Sequence, residues 1–186
     1  MTPKSQENYA ALDQPRVLSV LFHPRKQFGR RSETAQREDL HIDVSYGATL
    51  GASCHISSKK DPMVLFFHGN GEIVSDYDDL GQIYTRRGIN FFAVDYRGYG
   101  DSSGEPTVAA MMADCHKVLD FVAAYQEQNG FSRELYIMGR SLGSASAIEL
   151  AARRPEEING LIVESGFAYA GPLLSLLGVD PDQIGY

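Results

Sequence analysis

Four short apolar runs mark the chain after Pro62: MVLFFHG (63–69), INFFAVDYRG (89–98), ELYIMGR (134–140) and GLIVESG (160–166). Each is too short for a typical helix and is bounded by glycine or charge. That pattern predicts strands buried on both faces of a parallel sheet. Helical periodicity fills the gaps. Tyr77, Leu80, Ile83 and Tyr84 share one face, with Gly88 placed to close that helix. Val108, Met111, Met112, Cys115, Val118, Leu119 and Val122 share a longer face that starts near Pro106. Ala145, Ile148, Ala151 and Ala152 make a third, ended by Pro155. Ahead of these units, LHIDVSYGATLGASCHIS (40–57) alternates with period two and breaks at Tyr46-Gly47, as an antiparallel hairpin with one wet face would. Residues 1–38 read as an N-terminal arm, and residues 39–186 as an α/β domain with helices on both faces of its sheet.

The bulk properties add limits. A chain of 186 residues is one domain of ordinary size, and 43% hydrophobic with 22% charged residues fits a soluble globular protein. A net charge of −7 argues against nucleic acid as a partner. Arg16, Arg25, Lys26, Arg30, Arg31 and Arg37 run against that sign and are expected to form a solvated arm. Two cysteines imply no disulfide framework, and neither has metal-ligand spacing to a histidine. The apolar run VLSVLF (17–22) is too short for a membrane span or a signal-peptide core, so a cytoplasmic address is the default expectation. No cofactor site is indicated.

Ligands of open α/β sheets sit at the carboxyl ends of the strands. Those ends read His68-Gly69-Asn70-Gly71-Glu72, Asp95-Tyr96-Arg97-Gly98, Gly139-Arg140-Ser141 and Glu164-Ser165-Gly166. At Ser141 a strand passes directly into a helix, and glycines flank the serine in G-R-S-L-G. Small neighbours let strand and helix approach, while the turn holds the serine in strained geometry beside the helix N-terminus. Backbone N–H groups there can stabilise developing negative charge. This is the arrangement of a nucleophile elbow. Acyl transfer needs two donors at the oxygen that becomes negative. Leu142 is expected to supply one, and Gly69 or Asn70 the other. His68, Gly71 and Glu72 are candidate supports of that loop; His68 as the catalytic base is the less favoured alternative.

The blocks FFHGNGE, AVDYRGYGDSSGEPT, IMGRSLGSASA and LIVESGFA together resemble the α/β-hydrolase superfamily, specifically its serine-hydrolase branch with an H-G-N-G oxyanion loop. The resemblance covers roughly residues 40–168. It implies Ser141 as nucleophile, an oxyanion hole from the His68–Gly71 loop with Leu142, and a small-molecule acyl substrate, an ester being the commonest. The Asp95–Gly100 turn would shape the pocket floor.

That family's triad runs Ser, then Asp or Glu, then His in chain order. Here His23, His41, His55, His68 and His116 all precede Ser141. The expectation is therefore an incomplete α/β-hydrolase fold whose last two strands, with the triad acid and histidine, are missing. Asp180 and Asp182 read as loop residues. A fragment of this kind should be nearly inactive, because a serine hydroxyl depends on a neighbouring base. A non-catalytic binding or interaction protein is the alternative, with Asp95, Arg97, Asp101 and Glu105 as a rim salt-bridge set. A dinucleotide site at Gly98-Tyr99-Gly100 and Gly104 fits poorly, because no helix opens directly after it.

Overall fold

The computed structural model describes residues 9–28 and 36–185. Six strands form one sheet: β1 (Arg37–Asp43), β2 (Thr49–His55), β3 (Met63–Phe67), β4 (Asn90–Val94), β5 (Leu135–Arg140) and β6 (Gly160–Glu164), in spatial order β1-β2-β4-β3-β5-β6. β1, β2 and β4 pair antiparallel, while β4, β3, β5 and β6 run parallel. β3 thus lies centrally, with Phe67 beside Val94 on one flank and Gly139 on the other.

The helices explain why these strands lack polar alternation. α2 (Asp78–Thr85) covers one face, where Val64, Phe66, Phe91 and Ala93 meet Leu80 and Tyr84. α3 (Val108–Asn129) and α4 (Gly143–Arg153) cover the other, where Leu65, Phe67, Phe92 and Val94 meet Val118, Leu119 and Leu150. With both faces apolar, every β3 position is buried. α3 begins two residues past Pro106, capped by the Thr107 side chain on Ala110 N–H. α2 ends at Thr85, and the Gly88 N–H bonds back to the Thr85 carbonyl.

Three expectations change. The hairpin turns at Tyr46-Gly47 as read, but its wet face belongs to β1 alone. β2 is buried from Leu50 to His55 because β4 and α2 pack on it. The apolar run of β6 is only partly covered: Leu161, Ile162 and Val163 are 40, 42 and 45% exposed, because β6 is the sheet's edge among the described residues, although α4 packs against it. The arm is docked rather than solvated. α1 (Pro15–Leu21) buries Val17 and Leu21 in the main core, and Asp13 accepts hydrogen bonds from Val108 and Ala109 N–H at the start of α3. Arg25 pairs with Asp76, Lys26 donates to the Ser102 carbonyl, and Arg37 pairs with Asp39 and Asp78 inside and beside β1. Arg30 and Arg31 lie outside the described residues. After β6 the chain forms α5 (Ala170–Leu176) and α6 (Pro181–Ile184), and Gln14 and Arg16 of the arm reach Ile184 and Gln183.

Candidate active site

Ser141 lies one residue past β5 and two before α4, with φ +49. This is the left-handed region that a non-glycine residue occupies at a cost of about 1–3 kcal/mol. Both neighbouring glycines are needed. A methyl group at Gly143 would overlap the Phe67 carbonyl, and one at Gly139 would overlap Gly143 and approach the Ala147 side chain. The serine's own N–H is held by the Glu164 carbonyl of β6 at 2.9 Å, and its carbonyl accepts from Ser144 Oγ at 2.6 Å. Among the described residues its hydroxyl has no hydrogen-bond partner and is half-buried. The Leu142 N–H, just ahead of α4, likewise has no partner among them.

The loop after β3 is braced from beneath. The His68 ring is fully buried, with Nδ1 2.8 Å from the Gly69 carbonyl and Nε2 3.2 Å from Asp95 Oδ1. Asp95 Oδ1 also accepts from Val74 N–H, and the His68 carbonyl accepts from Tyr96 Oη at 2.6 Å. Both ring nitrogens therefore lie against scaffold oxygens, and the tautomer decides which of them donates.

Gly69 is placed differently from expectation. Its N–H donates to Glu72 Oε2 at 2.7 Å and so is not open to a substrate oxygen. Glu72 is held in turn by Tyr77 Oη and by the Arg140 guanidinium, whose Nε lies 3.3 Å from Glu164. Burial alone would raise the Glu72 carboxyl, but the Tyr77 hydroxyl, the Gly69 N–H and Arg140 outweigh it and hold it below the ordinary value. The Asn70 N–H has no partner among the described residues, and the Asn70 side chain is clamped by His23 and Tyr99. Gly71 completes the turn at φ +74. Burial pushes the Tyr99 phenol up to about 12, so it remains a donor to Asn70 at neutral pH.

Sequence reading missed Tyr77, Tyr99 and His23. Periodicity places Tyr77 only on a helix face, and His23 reaches Asn70 across 47 residues of chain, which no local pattern reports. The rim salt-bridge set does not form as supposed. Arg97 instead makes a two-toothed pair with Asp114 of α3, at 2.7 and 2.8 Å. The remaining histidines lie elsewhere: His55 with Asp78, His116 with Glu149, and His41 on exposed β1. Asp180 caps α6. No described helix is long and apolar enough to cross a membrane.

A mixed sheet with helices on both faces and a serine at a strained strand-to-helix turn defines an α/β hydrolase. The family model for serine aminopeptidase, S33, matches residues 58–177, and the chain belongs to that family. It is 34% identical over 117 residues to lysophosphatidylserine lipase ABHD12 of Xenopus tropicalis, covering 60% of this chain and 29% of that protein. It is 33% identical over 114 residues to the monoglyceride lipase of Rattus norvegicus, covering 60% and 37%. The esterase Pf2001 of Pyrococcus furiosus shares the fold with TM-score 0.65 at 17% identity, covering 89% of this chain and 65% of that one. The chain spans about a third of the length of these two curated relatives.

Proposed function

We propose that Ser141 is the nucleophile of a serine hydrolase acting on ester-type acyl bonds, with the N–H groups of Asn70 and Leu142 as the oxyanion hole. One observation carries this reading. The Ser141 hydroxyl stands unengaged at a strained turn, beside a backbone donor that is itself without a partner among the described residues. In the reaction the hydroxyl oxygen attacks the acyl carbon, its proton passes to a base, and the carbonyl oxygen takes up negative charge facing Leu142 and Asn70. Gly69 takes no direct part, because Glu72 holds its N–H; Glu72, Tyr77 and Arg140 fix the loop, and His68 fixes it from beneath.

No described histidine bonds to Ser141, so this chain alone is expected to retain only the donors' contribution. That residue is on the order of 10³–10⁴-fold over water. The same observation favours a second reading, a hydrolase-like binding protein that does not turn over. Turnover of a p-nitrophenyl ester, measured against Ser141→Ala with and without added 2-methylimidazole as a surrogate base, separates the two. The hydrolase reading expects little Ser141-dependent turnover alone and a clear Ser141-dependent excess with the base. Identical rates for both proteins throughout, with no fluorophosphonate adduct on Ser141, would leave the binding protein.

A further inference from the structure

Two serines at neighbouring strand ends share the left-handed backbone conformation, each with φ +49: Ser141 after β5 and Ser165 after β6. The parallel register sets Gly139 beside Val163 and Arg140 beside Glu164; continued by one residue, it sets Ser141 beside Ser165. Two contacts fix the pair. The Ser141 N–H donates, at 2.9 Å, to the Glu164 carbonyl, which belongs to the peptide joining Glu164 to Ser165. On the other side, Gly166 packs so close to the first turn of α4 that an added methyl group would lie 3.0 Å from Ser144 Cβ. Ser144 Oγ in turn donates to the Ser141 carbonyl at 2.6 Å. Ser165 is exposed, and among the described residues its hydroxyl has no hydrogen-bond partner. Glycine would hold this backbone conformation without strain, so the fold itself gives no reason for a side chain there.

We infer that Ser165 is a further catalytic residue, whose hydroxyl donates to the alcohol oxygen of the ester as that oxygen leaves the acyl carbon. β3 and β6 flank β5 on opposite sides. The Asn70 N–H, on the loop after β3, draws the carbonyl oxygen to one side of Ser141 and leaves the β6 side to the alcohol oxygen. Neighbouring strands lie about 4.8 Å apart, and residues in register with the same φ project alike. Hydroxyls at that spacing are beyond a direct O–H···O bond of about 2.8 Å. An oxygen carried on the same carbon as the Ser141 oxygen falls between them, within reach of Ser165. Ser165 is not a second nucleophile: α5 starts only at Ala170, so Ser165 lacks the helix-start donor that follows Ser141. In the step itself, Ser141 Oγ forms its bond to the acyl carbon and gives its proton to the base. The bond from carbon to the alcohol oxygen then breaks, that oxygen keeps the electron pair, and the protonated base returns the proton to it. Ser165 keeps its own proton and stabilises the charge while it is present.

This role rests on the reading of Ser141 as nucleophile, and the test separates the two. The 186-residue chain is assayed with 2-methylimidazole as the base, on phenyl acetate and on p-nitrophenyl acetate, each rate taken as the excess over Ser141→Ala. Phenolate leaves with its charge largely on oxygen and gains from a donor there, whereas p-nitrophenolate spreads the charge into its nitro group and gains little. Ser165→Gly removes the hydroxyl and suits the left-handed backbone, so its Tm should not fall. Ser165→Ala removes the hydroxyl and keeps Cβ. In both variants phenyl acetate turnover should fall about tenfold more than p-nitrophenyl acetate turnover. An unchanged ratio of the two esters would overturn the inference, with Ser141 still the nucleophile. An equal loss on both esters would overturn it too, because Ser165 would then act on Ser141 and not on the leaving oxygen. No Ser141-dependent turnover of either ester would sink the hydrolase reading, and this role with it.

Discussion

His23 holds Asn70 twice: its main-chain N–H donates to Asn70 Oδ1 at 2.8 Å, and its ring Nδ1 lies 2.8 Å from Asn70 Nδ2. Tyr99 Oη donates to the same Oδ1 at 2.7 Å. Two donors on Oδ1 fix the amide's orientation, so Nδ2 must be the donor to the ring. The arm thereby sets the side chain of the residue whose backbone is the proposed oxyanion donor.

Removing Asn70 should therefore cost more than removing the ring that touches it. Asn70→Ala leaves the Tyr99 hydroxyl without its acceptor and the His23 N–H with Tyr99 Oη as its one remaining partner, and is expected to cost about 1–3 kcal/mol. His23→Ala leaves the main-chain bond in place and loses one exposed contact, about 0.5 kcal/mol. Urea denaturation reads both. Amide hydrogen exchange at residues 69–72 should accelerate in each variant, more so in Asn70→Ala. Equal stability of Asn70→Ala and wild type would mean that the clamp does not order the loop.

The elbow's glycines differ in kind from a glycine in a turn. Gly143→Ala pushes a methyl group into the Phe67 carbonyl, which belongs to the central strand and cannot yield. Loss of about 3 kcal/mol or failure to fold is expected. Gly47→Ala meets open space and faces only the strain of φ +69, about 1 kcal/mol. Thermal denaturation of the pair gives the ranking; a Gly47→Ala that is the worse of the two would contradict the close-packed elbow.

How much of this was legible in the sequence follows from the range of each contact. The β3, β4 and β5 strands were readable because helices cover both faces, so whole runs turned apolar. The elbow was readable because sterics at Gly139 and Gly143 act within a few residues of Ser141. The docking of the arm was not, since Asp13 meets α3 across 95 residues and His23 meets Asn70 across 47. Nor was the capture of the Gly69 N–H by Glu72, because sequence places both in one turn without saying which way the carboxylate points. In β6 the sequence was apolar as predicted, and what differed was the cover.

Glu72 makes the loop sensitive to acid. Its folded value is depressed, so its contribution is fully present above the ordinary carboxylate value of about 4.3 and is lost as pH falls through the folded value. Glu72→Gln should cost about 0.5–1 kcal/mol at pH 7, modest because the pair with Arg140 is partly exposed and screened. The gap between variant and wild type should close as the pH is lowered to about 3. Denaturation midpoints across that range measure it; a gap that stays constant would show that the carboxylate charge is not what holds the loop.

The edge at β6 predicts behaviour in solution. Three consecutive apolar side chains, 40–45% exposed, stand on both faces of a strand whose outer backbone groups have no neighbouring strand among the described residues. Such an edge is a template for pairing with another chain, and soluble proteins usually blunt it with charge or cover. Glu164 is the one charge in β6, and it lies at the strand's end beside Arg140. The chain by itself should therefore self-associate with rising concentration, as sedimentation velocity would record. Ile162→Lys should shift the population towards monomer. The change should leave the fold intact, because Ile162 lies outside both packed cores. Leu176, 84% exposed on α5, is the fair control: it is apolar but lies on a helix, which offers no backbone edge. If Leu176→Lys relieves association as well as Ile162→Lys does, general hydrophobicity and not the strand edge is responsible.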